Sequence, residues 1–202
     1  MSIKNELDPR VKRTRLLLQE ALISLMANKE FDAITVQDIT KQAGVNRATF
    51  YAHYEDKYHM IRQICRDMLQ QLIQATKFIA PSNNVTPEEM AYQSFLHLFE
   101  HIEENNYFYK VLLSRKGSNI FRNRMYTLLQ ESYEKAINYL QPNHLHFKVA
   151  NDLLTSYITG ATMSTIINWL EKDMQYTPRY IAEQLLYLSK NGIFVAAGIG
   201  SK

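Results

Sequence analysis

The chain has 202 residues, 46% of them hydrophobic, a single cysteine and a formal net charge of +3. That length supports one large domain or a small domain joined to a larger one, and the single Cys65 excludes an internal disulfide framework. There is no signal-peptide-like apolar region and no long uncharged apolar run, so a soluble cytoplasmic protein with no membrane segment is expected; so mild a net charge decides nothing about nucleic acid until its distribution is known.

That distribution starts near the N-terminus, where "DPRVKRTRLLLQEALISLM" carries Arg10, Lys12, Arg13 and Arg15 in quick succession. Asp8 and Pro9 read as a helix cap and first helical position, and apolar residues at helical spacing carry the helix from Pro9 to Asn28. Cations in a first turn sit at the positive end of the helix dipole, which points to an external anion; a solvated basic turn is the plainer alternative. Thr35 with Asp38 three residues on reads as a capping box opening a second helix, and Gly44 closes it with a tight turn. Asn46 caps a third, very short helix reaching about Ala52, before "HYEDK" restarts the chain at a new cap, Asp56. A long helix is expected over 57–79, with Ile61, Ile64, Met68, Leu72 and Ile73 on one face, followed by the linker "APSNNVTP". Further helices are expected at 87–105, 106–113, 118–140, 144–172 and 178–191, the last stopped by Asn191-Gly192. No convincing strand alternation, internal repeat or low-complexity tract interrupts this pattern, so the fold class is all-α.

Two short helices around a glycine turn form a helix-turn-helix, whose second helix enters a DNA major groove and offers its N-terminal side chains to base edges. Phe50 is its apolar anchor, with Leu22, Ile34, Ile39, Ala43 and Val45 as expected neighbours. Arg47 can grip guanine O6 and N7 with two donors, Thr49 can meet a thymine methyl or a phosphate, and Tyr51 can donate its phenol to a backbone oxygen. Lys57, beside the Asp56 cap, places a cation and free amides where a phosphate would sit. Half-buried packing is the alternative for Tyr51 and Tyr54, and simple exposure for His53.

The run "FDAITVQDITKQAGVNRATFYAHYEDKYHMIRQI" resembles the DNA-binding region of the TetR-type regulators, a match that extends without a gap from Arg10 to Ile64. Thr40 stands where the family usually has alanine. "FLHLFEHIEENNYFYKVLLSRKGSNIF" and "GATMSTIINWLEKDMQYTPRYIAEQLLYLSKNG" resemble the family's Firmicutes-type C-terminal domain through more scattered positions. The resemblance implies a helix-turn-helix head in residues 1–56, a connecting helix 57–79, and a helical effector-binding and dimerisation body in 80–202. It implies phosphate contacts from Thr35, Tyr51, His53 and Lys57 and groove contacts from Asn46, Arg47, Ala48 and Thr49. Arg10 and Arg13 are expected to join them, since the first helix of such heads begins beside the DNA backbone.

One head reads too few bases for useful specificity, so a homodimer on a palindromic duplex operator is expected. Gly160, Ala161 and Ser164 form a close-approach face inside an apolar helix, and Tyr157, Trp169, Ile181, Leu185 and Leu188 are expected to complete the interface, with intramolecular core as their alternative. Bodies of this kind enclose a pocket for a small-molecule effector, here of unknown identity. Phe95, Phe99, Met125, Tyr126 and Met163 are its candidate lining, although aromatic stripes at helical spacing are ordinarily core.

His97 and His101 stand four apart, a spacing zinc can use, with His144 and His146 further on; lacking a third ligand nearby, they are read as solvent-facing, with no metal and no cofactor expected. No phosphate loop or nucleophile elbow appears and Cys65 has no histidine partner in view, so an enzyme is not expected. The expected function is sequence-specific transcriptional regulation by a ligand-released repressor. The alternative is an activator or co-activator of the same fold acting through a protein partner.

Overall fold

The computed structural model describes residues 8–76, 86–140 and 149–196. Among them every regular element is a helix. The chain forms two compact units: residues up to Asp67 with Val111–Arg122, and Met68–Lys110 with the residues from Asn123 onward. The division falls inside a helix, whereas the linker that the sequence offers as a boundary lies almost wholly outside the described residues.

In the first unit, α1 (Pro9–Asn28) opens as its sequence requires: Asp8 Oδ1 accepts the Arg10 amide at 2.8 Å and proline occupies the first position, where no amide is needed. It buries Leu18, Ala21, Leu22, Ile23 and Met26 and packs on α2 (Val36–Ala43). Between them lies a single 3₁₀ turn, Phe31–Ala33. The capping box at the head of α2 is complete: Thr35 Oγ1 accepts the Asp38 amide at 3.1 Å and Asp38 Oδ2 accepts the Thr35 amide at 2.9 Å. Gly44 ends α2 at φ 67°, a left-handed conformation that costs glycine nothing. Next come α3 (Arg47–Tyr51) and α4 (Lys57–Ala75). Five residues cannot sustain a helix alone, and α3 is held by its cap, by its packing on α2 and by the complete burial of Phe50. Leu22, Ile34 and Ile39 are buried as expected; Ala43 and Val45 are only half-buried.

In the second unit, α5 (Pro87–Glu104) starts at Thr86, whose hydroxyl accepts the Glu89 amide at 3.1 Å. It is followed by α6 (Asn106–Leu113) and α7 (Asn119–Leu140), whose adjoining ends within Val111–Arg122 belong to the first unit, and by α8 (Asn151–Glu171) and α9 (Pro178–Ala196). α5 packs antiparallel on α9, and Glu88 at the start of one pairs with Lys190 near the end of the other at 2.8 Å. The α8–α9 turn places both Asp173 and Met174 at φ 53° and is braced by the Trp169 indole N–H, which donates to the Tyr176 carbonyl at 2.8 Å.

The expected bounds hold for 9–28 and 106–113, and differ elsewhere. The helix expected over 144–172 begins only at Asn151, because Val149 and Ala150 are not helical; 144–148 lie outside the described residues, as do 77–79 of the connecting helix. α9 loses helical geometry at Gly192 (φ 74°, ψ 170°), where the sequence stops it, but helical residues resume to Ala196.

Candidate nucleic-acid interface

The third helix is built around its cap. Asn46 has extended backbone and accepts both the Thr49 amide and the Thr49 hydroxyl on Oδ1. Beyond it Arg47, Ala48 and Tyr51 are exposed while Phe50 is buried, so the helix turns one apolar side chain inward and its donors outward. Arg47 and Tyr51, one turn apart, act together: Arg47 Nη2 donates to the Tyr51 hydroxyl at 3.3 Å, and the guanidinium carbon lies 5.9 Å from the ring centroid. Tyr51 is 50% exposed, whereas Tyr54 is buried against Phe50, so of the two tyrosines it is Tyr54 that serves packing.

Around this helix, Thr35 is exposed, and its hydroxyl accepts the Asp38 amide. Asp38 accepts the Thr35 amide and the Lys29 ammonium at 3.0 Å, and these hydrogen bonds, the backbone one first, hold its carboxyl down to about 2. Arg10 and Arg13 stand exposed at the start of α1. His53 is half-buried rather than free in solvent; loss of water, and secondarily the charge of Arg15, push its imidazole below its ordinary range. Arg15 is the neighbour that sequence reasoning passed over in favour of Arg10 and Arg13. Its Nε is buried with no hydrogen-bond partner in the structure, and its charge acts on both His53 and Tyr54. The signal was its register, because Arg15 precedes buried Leu18 and Leu22 by three and seven positions.

Lys57 departs from expectation. Its ammonium turns back toward the protein and donates to three backbone carbonyls, those of Phe31 at 3.0 Å, Asp32 at 2.7 Å and Ile34 at 2.8 Å. It lies 5.0 Å from the Phe31 ring centroid and 5.2 Å from that of Tyr58. An ammonium has three N–H donors, and here all three are engaged, leaving none for a phosphate.

The expected dimer residues separate into two sets. Trp169, Ile181 and Leu185 are buried within the chain, Trp169 edge-on against Phe99, so they are core and not interface. Tyr157, Ala161, Ser164 and Leu188 are exposed, Tyr157 at 56%, and nothing stands within 4 Å of a Cβ built on Gly160. Leu153, missed in the sequence, is exposed one turn before Tyr157. α8 therefore buries Thr155, Thr159, Thr162 and Met163 and leaves Leu153, Tyr157, Ala161 and Ser164 open.

The second unit also holds a cavity of about 580 Å³ walled by the end of α4, by α5 and by α7, including Leu72, Ile73, Leu98, Leu128, Leu129 and Tyr133. None of the five expected lining residues borders it: Phe95, Phe99, Met125 and Met163 are buried core, and Tyr126 is half-buried. At the wall the Tyr133 hydroxyl shares a 2.9 Å hydrogen bond with Thr162 Oγ1, and burial pushes its phenol up to about 12. His101, expected to face solvent, is instead buried with its ring against Tyr109, and loss of water lowers its pKa. No group of three His, Cys, Asp or Glu side chains among the described residues could hold a metal ion; His144 and His146 lie outside them. No helix among the described residues is long and apolar enough to cross a membrane.

Residues 18–64 match the family model described as bacterial regulatory proteins, tetR family, and residues 89–191 match the one described as transcriptional regulator C-terminal region. An uncharacterised HTH-type transcriptional regulator of Bacillus subtilis, YxbF, is 25% identical over 170 residues, covering 83% of this chain and 42% of that protein. The chain spans about half or less of the length of the curated relatives it matches. The solved TetR transcriptional regulator from Streptococcus agalactiae superposes with a TM-score of 0.65 at 24% identity, covering 89% of this chain and 94% of that one. NalD, the secondary repressor of the MexAB-OprM multidrug efflux pump in Pseudomonas aeruginosa, superposes with a TM-score of 0.69 at 20% identity, covering 90% and 97%. At these identities the two structural likenesses establish a shared fold.

Proposed function

This chain belongs to the TetR family of DNA-binding transcriptional regulators and is not an enzyme; on that premise we propose that it is a homodimeric repressor that reads a palindromic operator through α3 and releases it on binding a small apolar effector. The observation that carries the reading is the division of labour in α3: Phe50 is wholly buried, while Arg47 and Tyr51 present a guanidinium and a phenol side by side on the exposed face. Arg47 reads a guanine edge, Ala48 contacts an apolar base edge, and Asn46 and Thr49, already bonded to each other, set the register of the helix start. Thr35, Tyr51, Arg10 and Arg13 contact phosphates, and His53 does so with Arg15 behind it.

Dimerisation is supported by α8, which leaves Leu153, Tyr157, Gly160, Ala161 and Ser164 uncovered, two large apolar side chains beside a run of small residues. The same operation on two chains makes such a patch self-complementary and sets two heads about 34–36 Å apart on DNA. An effector role is supported by the apolar cavity, whose size lies within the usual range for small-molecule sites. The wall residues Leu72 and Ile73 belong to α4, the helix that begins at Lys57, so a ligand favouring one setting of α4 shifts the regulator between states.

Selection of duplexes from a random pool by the purified chain tests the reading; it should enrich an inverted repeat with half-sites one helical turn apart. Placing that site over a promoter in a purified transcription system then gives the direction of control. Less transcript supports repression, and more transcript replaces it with activation. Failure to enrich any duplex would remove DNA reading altogether.

A further inference from the structure

The ammonium of Lys57 joins two points of the chain that bracket the whole reading unit. Its three acceptors, the carbonyls of Phe31, Asp32 and Ile34, lie in and just after the 3₁₀ turn, immediately before Thr35, the cap of α2. Lys57 itself is the first residue of α4. Everything between, from Thr35 through α2, the Gly44 turn and α3 to Asp56, is therefore an excursion closed at its base by one side chain.

The seam is reinforced beside the cation. Phe31 and Tyr58 meet edge to face with centroids 5.4 Å apart, both rings lie near the ammonium, and the Tyr58 hydroxyl approaches Asp32 Oδ1 at 3.5 Å. Three carbonyl oxygens converging on one charge suit an ammonium, which is a compact point charge with three donors. They do not suit a guanidinium, whose planar fork favours paired coplanar acceptors. A phosphate could recruit Lys57 only by breaking these bonds and leaving the three carbonyls to find other donors.

We propose that Lys57 is a positioning residue, a clasp that closes the helix-turn-helix at its base and fixes where α3 presents Arg47 and Tyr51, and that it does not contact a DNA phosphate. The proposal rests on the DNA-reading assignment above. Freed of the clasp, the unit keeps its surface charges but spends less time with α3 in register, so specific binding suffers and non-specific binding hardly changes.

The test uses the full chain, its selected duplex and a random duplex, with the parent, Lys57→Met and Lys57→Arg compared over a range of salt concentrations. Lys57→Met should lose about tenfold or more of specific affinity with little change on the random duplex, and its slope of log K against log salt should match the parent's. Lys57→Arg should fail to restore specific binding although it keeps the charge. Amide exchange at Asp38 and Ile39, at the head of α2, should quicken in both variants without DNA. The clasp is overturned if Lys57→Met weakens both duplexes alike with a slope lower by about one phosphate contact, and Lys57→Arg binds like the parent. Should Lys57→Met fail to fold, Lys57→Arg decides alone: parent-like binding overturns the clasp, and lost preference with an unchanged salt slope supports it. A parent with no preference between duplexes sinks the DNA reading instead, while the exchange measurement still tests the clasp.

Discussion

Asn46 Oδ1 accepts two hydrogen bonds from Thr49, the amide N–H at 2.7 Å and the hydroxyl at 2.9 Å. The side chain that opens the reading helix is thus occupied in holding it. Removing it by Asn46→Ala should cost about 1 kcal/mol of stability, within the range for lost caps, and weaken operator binding in the same variant. Asn46→Asp separates the two roles, since it keeps the cap but sets a carboxylate on the DNA-facing edge. It should melt like the parent and bind all duplexes more weakly, as thermal unfolding and duplex titration would show together.

Arg47 reaches Tyr51 without burying either group, so neither is needed for folding. Arg47→Ala should leave stability within about 0.5 kcal/mol, cost about 1–3 kcal/mol of specific binding and relax preference at one base position in each half-site. Arg47→Lys should not restore that preference, because a lysine cannot engage two acceptors in one plane. Tyr51→Phe should weaken every sequence alike with an unchanged salt slope, since it removes a neutral donor. Binding to a panel of single-base operator variants checks all three.

Tyr157 and Trp169 lie on the same helix with opposite fates. Tyr157→Arg places a charge on the open face and should convert a dimer to a monomer in sedimentation at micromolar concentration, with the helical content of each chain unchanged. Trp169→Ala instead empties a buried site against Phe99 and should cost about 3–5 kcal/mol of stability. If Tyr157→Arg remained dimeric, the α8 face would lose its assignment as the interface.

Acidification should act in two separate windows. Burial lowers the His101 pKa from its ordinary 6.5, so the folded state binds fewer protons than the unfolded one. Stability should therefore fall as pH drops below 6.5, until the lowered folded value is reached, and because His53 is lowered from the same value, His101→Phe should flatten that decline only in part. Asp38 is held down to about 2 from 3.8, so its contribution is complete above 3.8 and disappears as pH falls toward 2. Asp38→Asn should remove the Asp38 share of that second decline and leave the share of Asp173, which Lys110 also holds below 3.8. Denaturant midpoints of the parent and both variants across pH resolve the two windows.

Much of the head was legible because its signals are local. Asp8, Thr35, Asn46 and Thr86 all cap where their spacing to the next residues requires, and Gly44 takes the left-handed backbone that ends α2. What was not legible depends on reach or on partners. A lysine after an Asp cap looks the same whether its four-carbon stem points outward or curls back to carbonyls more than twenty positions earlier. An apolar helix reveals that more than one side is buried, but not which side meets the same chain. Trp169 and Tyr157 accordingly read alike in the sequence and separate in the structure. The cavity escaped for a related reason: the largest aromatics fill the core, and the space is left where leucines and small hydroxyl residues fall short.

The most direct measurement is a titration of a fluorescent duplex carrying the enriched inverted repeat, set beside the same duplex with both half-sites scrambled, at about 0.15 M salt and without effector. Two chains should bind each intact duplex, at least a thousandfold more tightly than the scrambled one at the lower end of specificity ratios. Equal affinity for the two duplexes, at any stoichiometry, would contradict the assignment of α3 as a reader of bases.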